Sequence, residues 1–443
     1  MIMTMTPLSR RKVMQVGAAA AGLTLLPSSR RTRAQDTTVT FWNPGILMVE
    51  DPSDKTKKPE DFYVYQAIAR FEAANPGVKI AMEVLPGDAN QFTKYRTASI
   101  AANGPDVMAM WSGSYMLGVK DFLEPLASYF TAEERARILG WEATSADFKP
   151  DSTEICGIPA GSDGQTCIFY NTELLDKAGI DPEGDWRASF DTFAAALEKI
   201  KASGVTPMAL EEYAIIWQIF AWWQAQTLGG SAAVAELVSG KRNFSDAPLP
   251  QVTQSWQKLK DYTVPGAESM PGEAAVQQLL AGQAVMTTGG FWAIPQMREG
   301  MGDKLGMIQM PNFSADAPIQ NGGIGGAGTA YIVSNYSAVK DEAVAFLKFL
   351  MSKEEQELKA KSGQGSLLNV TDVDATSLYP DPLTNIQQGW ATEPSTVFWL
   401  DNLYPSDLTN EIKAQSQLAW TSQISADEFL AKIDAKRDEL LGA

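Results

Sequence analysis

The chain has 443 residues, 45% of them hydrophobic, a length that exceeds the usual size of one core and leads us to expect two or three domains. It carries 36 Lys and Arg against 53 Asp and Glu, a net charge of -17, which argues against nucleic acid or an anionic membrane as partner because neutralising phosphates needs clustered basic residues. There is no histidine, which excludes Ser-His-Asp and Cys-His nucleophiles, HExxH zinc sites and imidazole acid–base work together, and leaves carboxylate-only hydrolysis or simple binding.

Residues 1–34 read as an export signal. Ser9-Arg10-Arg11-Lys12 is a basic start with the paired arginines of the twin-arginine route. Val16 to Leu26 is a mild apolar run, and Thr32-Arg33-Ala34 is a processing site. No cysteine follows the apolar run, so a periplasmic protein without a lipid anchor at its mature N-terminus is expected. Removing these residues takes away six positive charges and leaves 30 against 53, or -23.

Thr38 to Trp42 is a β-rich run stopped by Asn43-Pro44-Gly45, and residues 50–61 form a charged insertion. Phe62, Tyr65, Ile68 and Ala69 line one helical face, ended by Asn75-Pro76-Gly77. Val78 to Leu85 is the next strand, Phe92 to Ala102 a helix, and Val107 to Trp111 a third strand. Alternating strands and helices predict an α/β layer with parallel pairing. Strands that end in Trp followed by Asn, Ser or Gly point to a crevice beyond the carboxyl edge of the sheet. Trp111-Ser112-Gly113-Ser114-Tyr115 offers a ring, hydroxyls and N–H groups in one turn. Thr131-Ala-Glu-Glu134 is a capping box.

The only two cysteines, Cys156 and Cys167, have ten residues between them around a Gly, Pro, Ser and Asp-rich turn. We read strand, turn, strand and then a helix capped by Asn171 or Thr172. In an exported chain a Cys156–Cys167 disulfide is expected, with two reduced, partly buried thiols as the alternative.

Trp186 to Gly204 holds a longer helix. Glu211 to Gln224 is a dense aromatic helix on which Trp222 and Trp223 must point in different directions, so at least one of its rings is expected at a pocket. Gly282 to Trp292 repeats the grammar of strand, glycine pair and tryptophan, and Leu305 to Met310 is a strand halted by Pro311. Ile319 to Gly328 is no GxGxxG nucleotide cradle, because a strand follows it instead of preceding it. We read it as a permissive crossover that approaches a ligand closely. Ser337 to Leu350 is a periodic helix, Ser352 caps the next, residues 376–410 are irregular, and Ser425-Ala-Asp-Glu428 caps the terminal helix.

Twelve tryptophans, several just after strands and beside short polar residues, make the recipe for a neutral carbohydrate site, with flat rings on C–H faces and small polar groups on hydroxyls. No acidic pair is flagged by a catalytic motif, so no enzyme, cofactor or metal is expected.

TVTFWNPG, NPGVKIAMEVLPG, ANGPDVMAMW, FLEPL, GIPAGSDGQTCIFYNTELLDKAGI, GQAVMTTGGFW and AGTAYIVSNYSAVKDEAVAFLKFLMSKEEQ follow one another in this order. In this series the chain, over residues 36–443, resembles the extracellular solute-binding proteins of bacterial ABC importers, the large sugar-uptake family that includes the maltose-binding protein. The resemblance implies an α/β, two-lobed periplasmic-binding-protein fold, a clamshell with a hinge. It implies lobes of residues 36–163 with 323–356, and 164–322 with 357–443. It also implies a monomer that closes on a sugar and docks on membrane permease subunits. By analogy the ligand contacts are Trp42, Asn43, Asp106, Trp111, Ser112, Tyr170, one of Trp217 or Trp222, Gly290, Trp292 and Trp399. Lys94 and Arg96 would matter for an acidic sugar. The alternatives are a non-sugar solute such as a polyamine, phosphodiester or metal chelate, and a carboxylate-based glycosidase or lyase.

Overall fold

Among the described residues eleven short strands set the frame: β1 (Thr37–Asn43), β2 (Val78–Val84), β3 (Val107–Trp111), β4 (Ile158–Gly161), β5 (Cys167–Asn171), β6 (Thr206–Ala209), β7 (Ala284–Gly289), β8 (Leu305–Gln309), β9 (Gly323–Gly325), β10 (Thr329–Val333) and β11 (Thr396–Phe398). They come from a computed structural model that describes residues 36–49, 55–85 and 89–442. The export signal lies outside the described residues, as do residues 50–54 of the charged insertion.

Two mixed sheets flanked by helices form two lobes. The first has the order β2-β1-β3-β10-β4 and the second β6-β7-β5-β8, while β9 and β11 pair with each other in parallel. β1 is parallel to both β2 and β3, joined by helices, as the alternating pattern predicted. The period of two is visible in the cores. Val39, Phe41, Val107, Ala109, Tyr331 and Val333 enter one core, whereas Trp42, Met108, Met110, Ala330 and Ile332 enter another. Successive side chains on a strand face opposite ways, so the apolar runs of β1, β3 and β10 bury both faces of their sheet.

The cysteine stretch is not a hairpin. β4 belongs to the first sheet and β5 to the second, so residues 162–166 carry the chain from one lobe to the other instead of turning it back. Cys156 packs beside Met116 in a core of the first lobe, and Cys167 faces the core of Phe169, Ile294 and Met307 in the second. Both thiols are free, and the expected disulfide is absent. The strands flanking a crossover diverge, and that divergence holds the two sulfurs apart. The Cys167 thiol instead accepts from Gln387 Nε2 at 3.2 Å. The helix after β5 starts as expected, with the Asn171 side chain accepting from the N–H groups of Glu173 and Leu174.

Other expectations shift by a few residues. The first helix spans Tyr63–Ala74 and buries Tyr63, Val64, Ala67 and Phe71, an i, i+3/i+4 stripe rotated from the predicted one. The boxes Thr131–Glu134 and Ser425–Glu428 form, and Ser352 caps the helix Lys353–Ser362. Residues 376–410 are not irregular: helices Pro382–Trp390 and Leu400–Leu403 and strand β11 lie there, the first opened by the Asp381 carboxylate. Trp222 and Trp223 do not diverge. Their indole N–H groups both donate to the carbonyl of Pro311, just after β8, at 3.1 and 2.8 Å.

Candidate functional site

The site is built where strands of both sheets give out. β3 ends in Trp111, whose indole meets Phe92 edge-on at 5.4 Å and Tyr115 at 4.9 Å, so its orientation is held by neighbours. β7 ends at Gly289, and after Gly290 the next turn carries Phe291 and Trp292. A Cβ on Gly290 would fall inside the Trp292 ring, so only glycine lets that indole fold back. Trp292 stays 46% exposed, at the rim. After β11 comes Trp399, its ring 6.1 Å from that of Trp292 and 5.9 Å from that of Tyr213. Phe291, Trp292, Trp399 and Tyr213 thus make one continuous aromatic wall.

These rings border a cavity of about 550 Å³. Its other sides are the loop from Pro44 to Met48 after β1, Asp163 on the crossover, Glu211 and Gln218, Gly328 and Thr329 at the start of β10, and residues between Gly363 and Ser366. Gln218 sits in a π-helical turn, Ile215–Phe220, a widened geometry that often marks functional positions.

The polar groups here are mostly acids and acceptors. Asp163 takes the Trp399 indole N–H at 2.8 Å. Burial pushes its carboxyl up to about 7, with the nearby Asp401 adding to the shift and the indole bond opposing it. Asp163 fits because residue 328 is glycine: any Cβ there would collide with the carboxylate. Asp401, one layer behind the wall, accepts from the Tyr213 hydroxyl at 3.0 Å and is pushed up to about 6 by burial. Its Oδ1 has no partner, and neither has Gln218 Oε1 nor Thr329 Oγ1. The Glu211 carboxylate is raised by burial too, yet it is engaged by the N–H groups of Tyr213 and Ala214 at 2.7 and 2.8 Å. Among the described residues that line the cavity, none is Lys or Arg. Among the described residues, no cluster of three His, Cys, Asp or Glu is placed to hold a metal ion.

Three of the sequence-selected residues line this cavity: Trp111, Trp292 and Trp399. Gly290 supports Trp292 from behind. The others lie elsewhere, each engaged by the fold. Trp42 is buried under the Lys94 ammonium, 4.5 Å from the ring, and Lys94 also pairs with Glu83. Asn43 donates to the Leu47 carbonyl at 2.8 Å and shapes the loop that lines the cavity. Asp106 accepts from Thr40 and Ser337, a strand-end clasp in the first lobe. The Ser112 hydroxyl donates to Ala327 O at 2.7 Å. Tyr170, Trp217 and Trp222 are core residues of the second lobe. The sequence reading passed over Asp163 and Gln218, and the ring of the aromatic helix that lines the cavity is Tyr213. Tyr213 and Gln218 lie in the aromatic stretch it had singled out, and Asp163 in the cysteine stretch, but a lone polar residue carries no periodic signal.

The model for bacterial extracellular solute-binding proteins matches residues 56–357. An uncharacterized ABC transporter extracellular-binding protein of Pyrococcus horikoshii is 23% identical over 236 residues, 52% of this chain and 52% of that protein, so the chain spans about half the length of that relative. The lactose-binding protein of Rhizobium radiobacter is 21% identical over 398 residues, 86% of each. A solved chitin oligosaccharide binding protein superposes with a TM-score of 0.74 at 19% identity, over 92% of this chain and 100% of that one.

Proposed function

This chain belongs to the bacterial extracellular solute-binding proteins, and from that premise we propose that it binds a mono- or oligosaccharide in the cavity between its lobes and hands it to the permease subunits of an ABC importer. It performs no chemistry on the ligand. The observation that carries this reading is the aromatic wall of Trp292, Trp399 and Tyr213 beside unpartnered acceptors. Rings cover the C–H faces of a sugar and acceptors take its hydroxyl protons. Relatives that bind lactose and a chitin oligosaccharide agree with it. A phosphodiester or acidic sugar would find no cation among the described lining residues. A polyamine would engage the carboxylates but leave a broad ring surface against a thin alkyl chain.

Capture is mechanical. The sugar bridges the lobes, contacts from both are completed only on closure, and the closed population rises. The lobes we propose are residues 36–163 with 323–356, and 164–322 with 357–443. The packing of Leu367, Leu368 and Tyr379 into the first core supports moving the last boundary beyond Tyr379. Export by the twin-arginine route, a mature chain without a lipid anchor, and a monomeric state complete the proposal.

The test is tryptophan fluorescence of the full chain titrated with mono-, di- and trisaccharides, with acidic sugars and polyamines alongside. A saturable response to one saccharide that is recovered unchanged after hours supports transport binding. A response confined to a non-sugar solute would sink the saccharide reading and leave the two-lobed fold standing.

A further inference from the structure

The described lining of the cavity carries two carboxylates, Asp163 and Glu211. Gln218 is 4% exposed, lines the cavity and has an Oε1 without a partner. Asp401 stands behind the wall, 1% exposed, and accepts from the Tyr213 hydroxyl. Asp163 accepts one indole N–H, whereas a carboxylate has room for about four donors. A buried acceptor left unmade is costly, so the ligand is selected for donors. A sugar hydroxyl brings one donor together with two lone pairs, which then face acceptors. A protonated amine brings three donors and no lone pair. Two further observations point the same way. No lining residue among those described supplies a positive charge, and the faces of Trp399, Trp292 and Tyr213 attract cations through their ring quadrupoles.

We propose that the ligand carries a protonated primary amine seated against Asp163, so that the cargo is an amino sugar with its amine free. This rests on the saccharide reading above and narrows it. Asp163 is then the residue that sets specificity, held in place by Trp399 and by the absence of a side chain at Gly328.

Calorimetry on the full chain tests this with matched ligands: glucose and galactose, their 2-amino-2-deoxy forms, the N-acetyl forms, dimers of each, and putrescine and spermidine. The expected result is that one free-amine sugar binds at least about tenfold more tightly than its hydroxyl and N-acetyl counterparts, the difference between a charge-assisted and a neutral hydrogen bond. Asp163→Asn should abolish that preference. If the hydroxyl or N-acetyl form binds as tightly as the amine, this proposal is overturned and the saccharide reading stands. A response to putrescine or spermidine alone overturns both, as does silence to every probe. Should Asp163→Asn fail to fold, the three-way comparison on the native chain decides by itself.

Discussion

Asp163 shows how much one side chain concentrates. It lies on the crossover, accepts from Trp399 and keeps its carboxyl protonated up to about pH 7. In the unfolded chain the same group holds its proton only up to about pH 4. Between those values the native state binds more protons, so this group's contribution makes stability fall as pH rises. Asp401, pushed up to about 6, acts in the same sense. Asp163→Asn keeps an acceptor for the indole and removes the titration. Thermal unfolding should therefore find the variant about 1–2 kcal/mol more stable than the native chain at pH 8 and no more stable at pH 4. An equal difference at both pH values would show that ionisation of Asp163 is not the cause. Trp42 makes the opposite point: a tryptophan at a strand end with every outward sign of a binding ring is covered by Lys94 and spent in the core.

Among the elements, the crossover and the helix that clamps it decide how the lobes are joined. Gln387, on Pro382–Trp390, is fully buried, and its amide bonds both backbone groups of Gln165, accepting from the N–H at 3.0 Å and donating to the carbonyl at 2.9 Å. The side chain thus holds the crossover on one side, while β9 holds it on the other through the Gln165–Gly325 bridge. Gln387→Leu would leave two buried backbone groups without partners. Urea unfolding should report a loss of about 2–4 kcal/mol, with the affinity for saccharide changed by less than about twofold, since Gln387 does not line the cavity. If stability were unchanged, the amide would not be the clamp.

At the scale of the whole molecule the aromatic wall comes from the second sheet and the segment after β11, while Trp111 and the loop after β1 come from the first. A ligand touching both groups has differential affinity for the state in which they are close, and it can shift the equilibrium only by that difference. Small-angle scattering of the full chain should therefore show a smaller radius of gyration with saturating saccharide than without it. An unchanged radius would mean that ligand enters without closure.

How much of this was legible in the chain follows from how each feature is encoded. The sequence by itself determined the α/β layers, the parallel run of the first three strands, the helix caps and the family. Each of these rests on local periodicity or on short ordered motifs: apolar residues at spacings of two and of three to four, a Ser or Thr three residues before a Glu, and glycines at strand ends. It also marked Trp111 and Trp292, because a ring after a strand lies at the sheet edge wherever the strand goes, whereas Trp399 came only from the family resemblance. Only the tertiary structure decided which tryptophans are core and which are cleft, since Trp42, Trp217 and Trp222 obey the same local rules and differ only in what other segments lay over them. It likewise decided the fate of the cysteines. Two apolar arms around a polar turn look alike whether they pair or part, and here each arm finds better partners in a different sheet, β10 for one and β7 and β8 for the other. Gln218 was beyond any local signal, because an unpartnered acceptor exists only once the fold has withheld the partner, and Asp163 because its indole partner lies 236 residues further along the chain.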